Sequence, residues 1–202
     1  MSKVIYSEGD LPKSAKINGA VAIDTEATGL SALRDRLCVV QLRGEGGDTH
    51  VVRVAPPYNC PNLKKILSDK GREHIFHFAR FDVMMIKKSL GIEVPNVFCT
   101  KIASRLVRTY TEKHSLKTLV LELFGVELNK EEQHSDWAGN LSDAQIEYAA
   151  GDVLYLHEIR RIMLERLKRE GRLGLAEACF KFLNARVELD LAGWENTDIF
   201  AH

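Results

Sequence analysis

The chain has 202 residues, 45% of them hydrophobic, which suffices for one well-filled core and is too short for two ordinary domains with a linker. Lys+Arg and Asp+Glu balance at 28 each, excluding the global basic field on which sequence-blind binding of long nucleic acid depends. No stretch approaches the roughly 18 apolar residues of a membrane span, and Met1–Asp10 has no apolar leader core, so a cytoplasmic protein without a membrane partner is expected.

In chain order, Lys3–Tyr6 reads as a short edge strand and Leu11–Asn18 as a connector. Ala20–Ile23 is apolar and β-branched, the pattern of a strand buried on both faces, and Asp24 ends it. Leu37–Arg43 and Thr49–Val54 predict two more strands around the turn-forming Gly44–Asp48, and Pro56-Pro57 closes this meander. Asn62–Ser68 predicts a short helix. The strand His74–His77 runs into a helix over Ala79–Leu90, stopped by Gly91, and the strand Asn96–Cys99 leads to a helix over Lys101–Val107 with Thr100 as N-cap.

The second half reads as helical. Leu116, Leu119, Val120 and Leu123 mark one face of a helix over Ser115–Phe124, ending at Gly125. Ser142 and Gln145 form a capping box that opens a long helix to about Arg169, with Gly171 as its stop. Leu173–Leu189 predicts the last helix. Strands followed by strand–helix alternation predict an α/β domain with a mixed sheet and flanking helices over residues 1–189. The tail 190–202 carries Leu191, Trp194, Ile199 and Phe200, too few for a core of its own, so it packs back on its domain or covers a neighbour.

Cys38, Cys60, Cys99 and Cys179 form no C-x-x-C pair and read as free thiols in a reducing compartment. On a strand the odd spacing of His74 and His77 puts them on opposite faces, against a shared metal.

Chemistry concentrates in the carboxylates. Asp24 and Glu26, two apart at a strand end, point to the same face, where their repulsion calls for a hard divalent cation between them. Tyr148 and Asp152 are four apart on the long helix and share a face. The small Ala149, Ala150 and Gly151 between them let that helix approach the sheet and bring Asp152 to the end of the Asp24 strand. Asp82 lies in the first turn of the helix after the fourth central strand, either as a further partner or as an ordinary helix-dipole carboxylate.

Asp24-x-Glu26, Asp82 and Tyr148-x-x-x-Asp152, in this order, resemble the motifs of the DEDD exonuclease superfamily, in the tyrosine-bearing branch to which ribonuclease D belongs. The histidine-bearing branch would need His at 147, where this chain has Glu147. Lys113–Lys117, Ser135–Trp137 and Gln145–Ala150 are also similar to ribonuclease D. Asp35–Gln41, Phe98–Ser104, Thr109–Thr111 and the ending Leu189–His202 resemble the nanoRNase C family of short alphaproteobacterial relatives nearly end to end. Ribonuclease D continues into helicase-and-RNase-D C-terminal domains, which are not expected within this chain.

This resemblance implies a ribonuclease H-like mixed five-stranded sheet and a 3′-5′ exoribonuclease that hydrolyses very short RNA, 5′-phosphorylated diribonucleotides above all, to nucleoside 5′-monophosphates. It implies two Mg²⁺ or Mn²⁺ ions held by Asp24, Glu26, Asp82 and Asp152, with Asp24 between the ions. Tyr148, whose ordinary pKa near 10 makes it a poor base, would orient the attacking water. It also implies a homo-oligomer, an octameric ring, whose tail 190–202 contacts a neighbour.

Substrate contacts are a wider set. Lys101, Arg105, Arg108, Lys113 and Lys117 form a basic strip opposed by Glu112, read either as a solvated face or as donors to phosphates. Leu30 beside the carboxylates would wedge between bases. His77 or Phe78 would stack on one, although Phe78 serves equally as a core residue. Thr25 and Arg80, next to the acidic residues in the matched motifs, complete the set. Two other readings are a ribonuclease D-like trimmer of longer RNA or DNA 3′ ends, and a non-catalytic nucleic-acid-binding module; the full carboxylate set speaks against the latter.

Overall fold

Successive residues of a strand face opposite ways, and Val21–Ala27 (β2) uses both directions. A computed structural model describes residues 3–31, 34–128, 132 and 135–202. Val21 and Ile23 enter the core on one side of the sheet, while Ala22 joins Ile75 and Phe98 in a second core on the other. Around β2 lie β1 (Val4–Glu8), β3 (Leu37–Gly44), β4 (Thr49–Arg53), β5 (His74–Phe76) and β6 (Val97–Cys99), in the order β1-β4-β3-β2-β5-β6. β2, β3 and β4 are antiparallel neighbours, and β5 and β6 continue the sheet in parallel.

The sheet therefore has six strands where five were expected. Val4–Glu8 is only partly buried, but its backbone pairs with β4 from Val4 opposite Thr49 to Glu8 opposite Arg53, which makes it a full edge strand.

The helices are α1 (Pro61–Leu67), α2 (Ala79–Leu90), α3 (Thr100–Val107), α4 (Leu116–Phe124), α5 (Asp143–Leu154), α6 (Leu156–Arg169) and α7 (Leu173–Leu189). Leu63 and Leu67 of α1, Val83 and Ile86 of α2 and Val187 of α7 cover the face reached by Val21 and Ile23. α3, α4 and α6 cover the β5–β6 half of the opposite face, and Ala149 and Ala150 of α5 pack with Val39 and Val51 on the remainder.

The expected long helix is two helices that meet at Tyr155, whose φ of −100° and ψ of −6° interrupt the ladder. Neither Gly nor Pro marks the break. α5 lies on β1–β4 and α6 on β5 and α3, so each follows its own part of a twisted sheet, while Tyr155 stacks on Phe124 with ring centroids 5.3 Å apart. The cap before α3 also differs from expectation. Cys99 occupies it without a side-chain bond, and Thr100, already helical, donates its hydroxyl to Phe76 O at 3.0 Å.

α7 runs into a π-helical turn, Asp190–Trp194, in which Gly193 takes a φ of 99° that favours glycine. Asp190 is buried there and accepts from Arg80 and from Arg186. Phe200 approaches Phe182 at 6.1 Å between centroids, so the tail folds back on its own domain while Trp194, Ile199 and Phe200 keep exposed surface. Cys38, Cys60 and Cys99 are buried free thiols and Cys179 is an exposed one. Among the described residues no helix is long and apolar enough to cross a membrane.

Candidate active site

Asp24 and Glu26 leave β2 on the face covered by α5, whose capping box at Ser142 and Gln145 fixes where the helix starts. Ala149 and Ala150, both buried, let α5 settle close on the strands. One carboxylate oxygen each of Asp24, Glu26 and Asp152 then lies within 4.8 Å of the others, the group of this kind found among the described residues. Asp82 comes from α2 on the other side of β2, where its Oδ1 accepts from the Thr25 hydroxyl at 2.7 Å.

The four carboxyls destabilise one another's charge. Burial, with repulsion from Asp82, Asp152 and Glu26, holds Asp24 well above the usual carboxylate range. Burial and the charges of Asp152 and Asp82 push Glu26 up to about 9. Burial also pushes Asp82 and Asp152 up to about 7, with the bonds from Thr25 and Tyr148 respectively working the other way. Burial and the neighbouring Asp152 likewise raise the Tyr148 phenol, so it keeps its proton throughout the physiological range. Its ring leans on the buried Trp137, centroids 6.0 Å apart. A crowded set of hard oxygen donors whose negative charge is costly is the chemistry that fits Mg²⁺ or Mn²⁺.

Leu30 is 83% exposed, on a turn that Asp35 holds by accepting the Ser31 N–H at 2.8 Å. Gly29 is required beneath it, since a Cβ there would come 2.5 Å from Asp35 Oδ2. Phe78 is 46% exposed, which removes the core alternative, and it adopts a φ of 70°, a costly conformation for a residue with a Cβ. The Lys101 ammonium sits 4.1 Å from the centre of its ring. His77 is the neutral imidazole: burial pushes it down to about 3, and its Nδ1 lies 2.9 Å from Thr100 Oγ1. His74 turns elsewhere, to the carbonyls of Pro95 and Ile66.

Two expected substrate contacts, Arg108 and the Thr25 side chain, are corrected. Arg108 is 1% exposed and donates to Ser104 Oγ, Lys113 O and the Glu122 carboxylate, so it secures the segment after α3 and has no group left for a phosphate. The Thr25 side chain points away from the Asp24 and Glu26 face and is committed to Asp82. Arg80, still partly exposed, donates its Nε and Nη2 to Asp190 and its Nη2 to Glu195 O. Arg105 is exposed and Lys117 half-buried.

In the sequence Gln41 is a strand residue that ends the matched Asp35–Gln41 segment, with no role of its own assigned. It is fully buried, stands directly opposite Asp24, and neither atom of its amide has a partner among the described residues. Its signal was a lone amide in the otherwise apolar run Leu37–Leu42.

Residues 8–168 match the 3′-5′ exonuclease family, and the chain belongs to it. Among curated relatives, ribonuclease D of Gluconacetobacter diazotrophicus is 36% identical over 154 residues, covering 76% of this chain and 39% of that protein. DNA polymerase I of Aquifex aeolicus is 36% identical over 152 residues, covering 73% of this chain and 25% of its own length. The chain thus spans two fifths or less of these relatives.

Within the family the chain is an NrnC-like nuclease over its full length. Brucella melitensis NrnC bound to pGG is 48% identical with a TM-score of 0.94, covering 100% of both chains. The same protein with bound Mg²⁺ gives 48% and 0.92 over 99% of both. RNase D of Escherichia coli gives 26% and 0.73, over 83% of this chain and 44% of that one. The expected resemblance, the ribonuclease H-like architecture and the exonuclease activity are borne out.

Proposed function

We propose that the protein hydrolyses 5′-phosphorylated diribonucleotides to nucleoside 5′-monophosphates, using two divalent cations. The observation that carries this reading is the convergence of Asp24, Glu26 and Asp152 within 4.8 Å in a chain similar from end to end to a nuclease bound to pGG. Asp24, Glu26, Asp82 and Asp152 would hold the cations. When bound, such ions neutralise charge on the scissile phosphate and lower the pKa of the attacking water. Tyr148, held protonated beside Asp152, orients that water by hydrogen bonding and leaves its proton to be taken up elsewhere.

Leu30, exposed beside the carboxylate strand, inserts between the two bases, and Phe78 offers one of them a stacking surface. Arg105 and Lys117 supply phosphate donors, with Lys101 beside the Phe78 ring. In this reading residues 1–189 act as the exonuclease domain of a cytoplasmic enzyme. The exposed Trp194, Ile199 and Phe200 of the tail join copies into a ring, an octamer by the family resemblance.

Initial rates on 5′-phosphorylated RNA of two, three and seven nucleotides, with matched DNA, test the substrate. The dinucleotide is expected to be cleaved fastest. Equal rates across lengths would instead support a general 3′-end trimmer, and DNA cleaved as fast as RNA would remove the ribose preference. Sedimentation of the chain and of a version ending at Leu189 tests the assembly.

A further inference from the structure

The strand that carries Asp24 and Glu26 presents an intervening side chain to the opposite layer. Thr25 is 5% exposed, and its hydroxyl donates to Asp82 Oδ1 at 2.7 Å, the Asp82 side chain being 3% exposed as a residue of α2. Period two in β2 therefore splits the segment: the carboxylates go to the α5 face and the hydroxyl goes to the α2 face. α2 begins at Ala79 after the strained Phe78, and the Asp82 carboxyl also accepts from its own backbone N–H and from that of Thr25. The Thr25 hydroxyl is the side-chain donor that holds Oδ1 of that carboxyl.

We propose that Thr25 is a positioning residue that sets the orientation of Asp82 for cation binding, linking the two acidic motifs through a buried hydroxyl. This rests on the two-cation reading above. Valine matches threonine in shape but cannot donate, whereas serine keeps the hydroxyl and loses only a methyl group. A hydrogen bond to a charged group accounts for roughly ten- to a hundredfold in an equilibrium constant. T25V is therefore expected to bind one Mn²⁺ normally and the second about tenfold or more weakly, and T25S is expected to bind both as the unaltered protein does.

Mn²⁺ titration by calorimetry without RNA, on protein freed of metal by chelation, reads this directly. Turnover of a 5′-phosphorylated dinucleotide against Mn²⁺ concentration should show the same split, with T25V needing more metal for half-maximal rate at unchanged substrate KM. A third arm combines T25V with D82N, in which valine should add no further loss of cation affinity. If T25V alone proves too unstable to titrate, T25A, which also lacks the hydroxyl, takes its place in both comparisons.

Two sites filled by T25V as in the unaltered protein would overturn the role of Thr25 while leaving the two-cation reading intact. A serine variant as impaired as valine, or additive losses in the double variant, would also overturn it by pointing to packing in place of the hydrogen bond. A single Mn²⁺ bound by the unaltered protein would sink the two-cation reading and the Thr25 proposal with it. A failure of dinucleotide cleavage with normal titrations would count only against the substrate.

Discussion

Arg80 and Asp190, 110 residues apart, meet through two hydrogen bonds of 2.7 and 2.8 Å that tie the π-helical turn after α7 to the helix bearing Asp82. Arg186 reaches the same carboxylate at 2.7 Å, so the buried Asp190 carboxylate joins two partly exposed guanidiniums. Removing one member of such a group leaves uncompensated charge and costs about 3 kcal/mol. D190A is therefore expected to lower Tm by roughly 6–12 °C, and D190N by less, because the amide oxygen still accepts. Thermal denaturation of both variants checks this; a change of about a degree in D190A would show that the triad contributes little.

Metal-free stability should fall as pH rises. Folding raises Glu26 to about 9 and Asp82 and Asp152 to about 7, against about 4 for unfolded carboxyls. Between those values the folded chain holds more protons than the unfolded one, so the slope of stability with pH is negative. The expected result is a higher Tm in chelator at pH 5 than at pH 8. Mg²⁺ at about a hundred times its dissociation constant should restore roughly 2.7 kcal/mol at pH 8 and far less at pH 5, where protons compete. A Tm in chelator independent of pH would contradict it.

Substitutions inside the cluster should separate activity from stability. D24N is expected to lower turnover roughly a thousandfold or more and, by removing a repelled charge, to raise the metal-free Tm at pH 8. Y148F keeps the ring against Trp137 and loses the hydroxyl, so turnover should fall roughly ten- to a hundredfold with metal affinity little changed. Rates paired with Mn²⁺ titrations distinguish the two patterns.

Two arginines of one helix end should behave oppositely. R108A strips donors from Ser104, Lys113 and Glu122 and is expected to cost about 1–3 kcal/mol of stability. R105A, at an exposed position, should change stability by less than about 0.5 kcal/mol while raising KM for 5′-phosphorylated substrates. Thermal melts beside KM values with and without the 5′-phosphate test both; an R105A enzyme with unchanged KM would remove Arg105 from the binding surface.

The parts of this site that sequence made legible are those set by local geometry. Asp24 and Glu26 sit two apart on a strand, Tyr148 and Asp152 four apart on a helix, and Ser142 with Gln145 announces where that helix starts. Arg108 could not be read the same way. A basic strip in sequence does not reveal that Glu122, 14 residues on, will close over one of its members and bury it. The break at Tyr155 was equally hidden, because it comes from two helices following different parts of one sheet and no breaker residue marks it. Thr25 could be placed on the strand but not paired, since its partner lies 57 residues away on a separate layer.

The register that sets Gln41 opposite Asp24 governs how this enzyme fails. A shift of β2 by one residue against β3 would turn Asp24 and Glu26 into the apolar layer of Val40 and Leu42, and Ile23 out of it. Such a chain would lose its core and its chemistry in the same step. A slipped molecule is thus a dead one, without a half-active form in between.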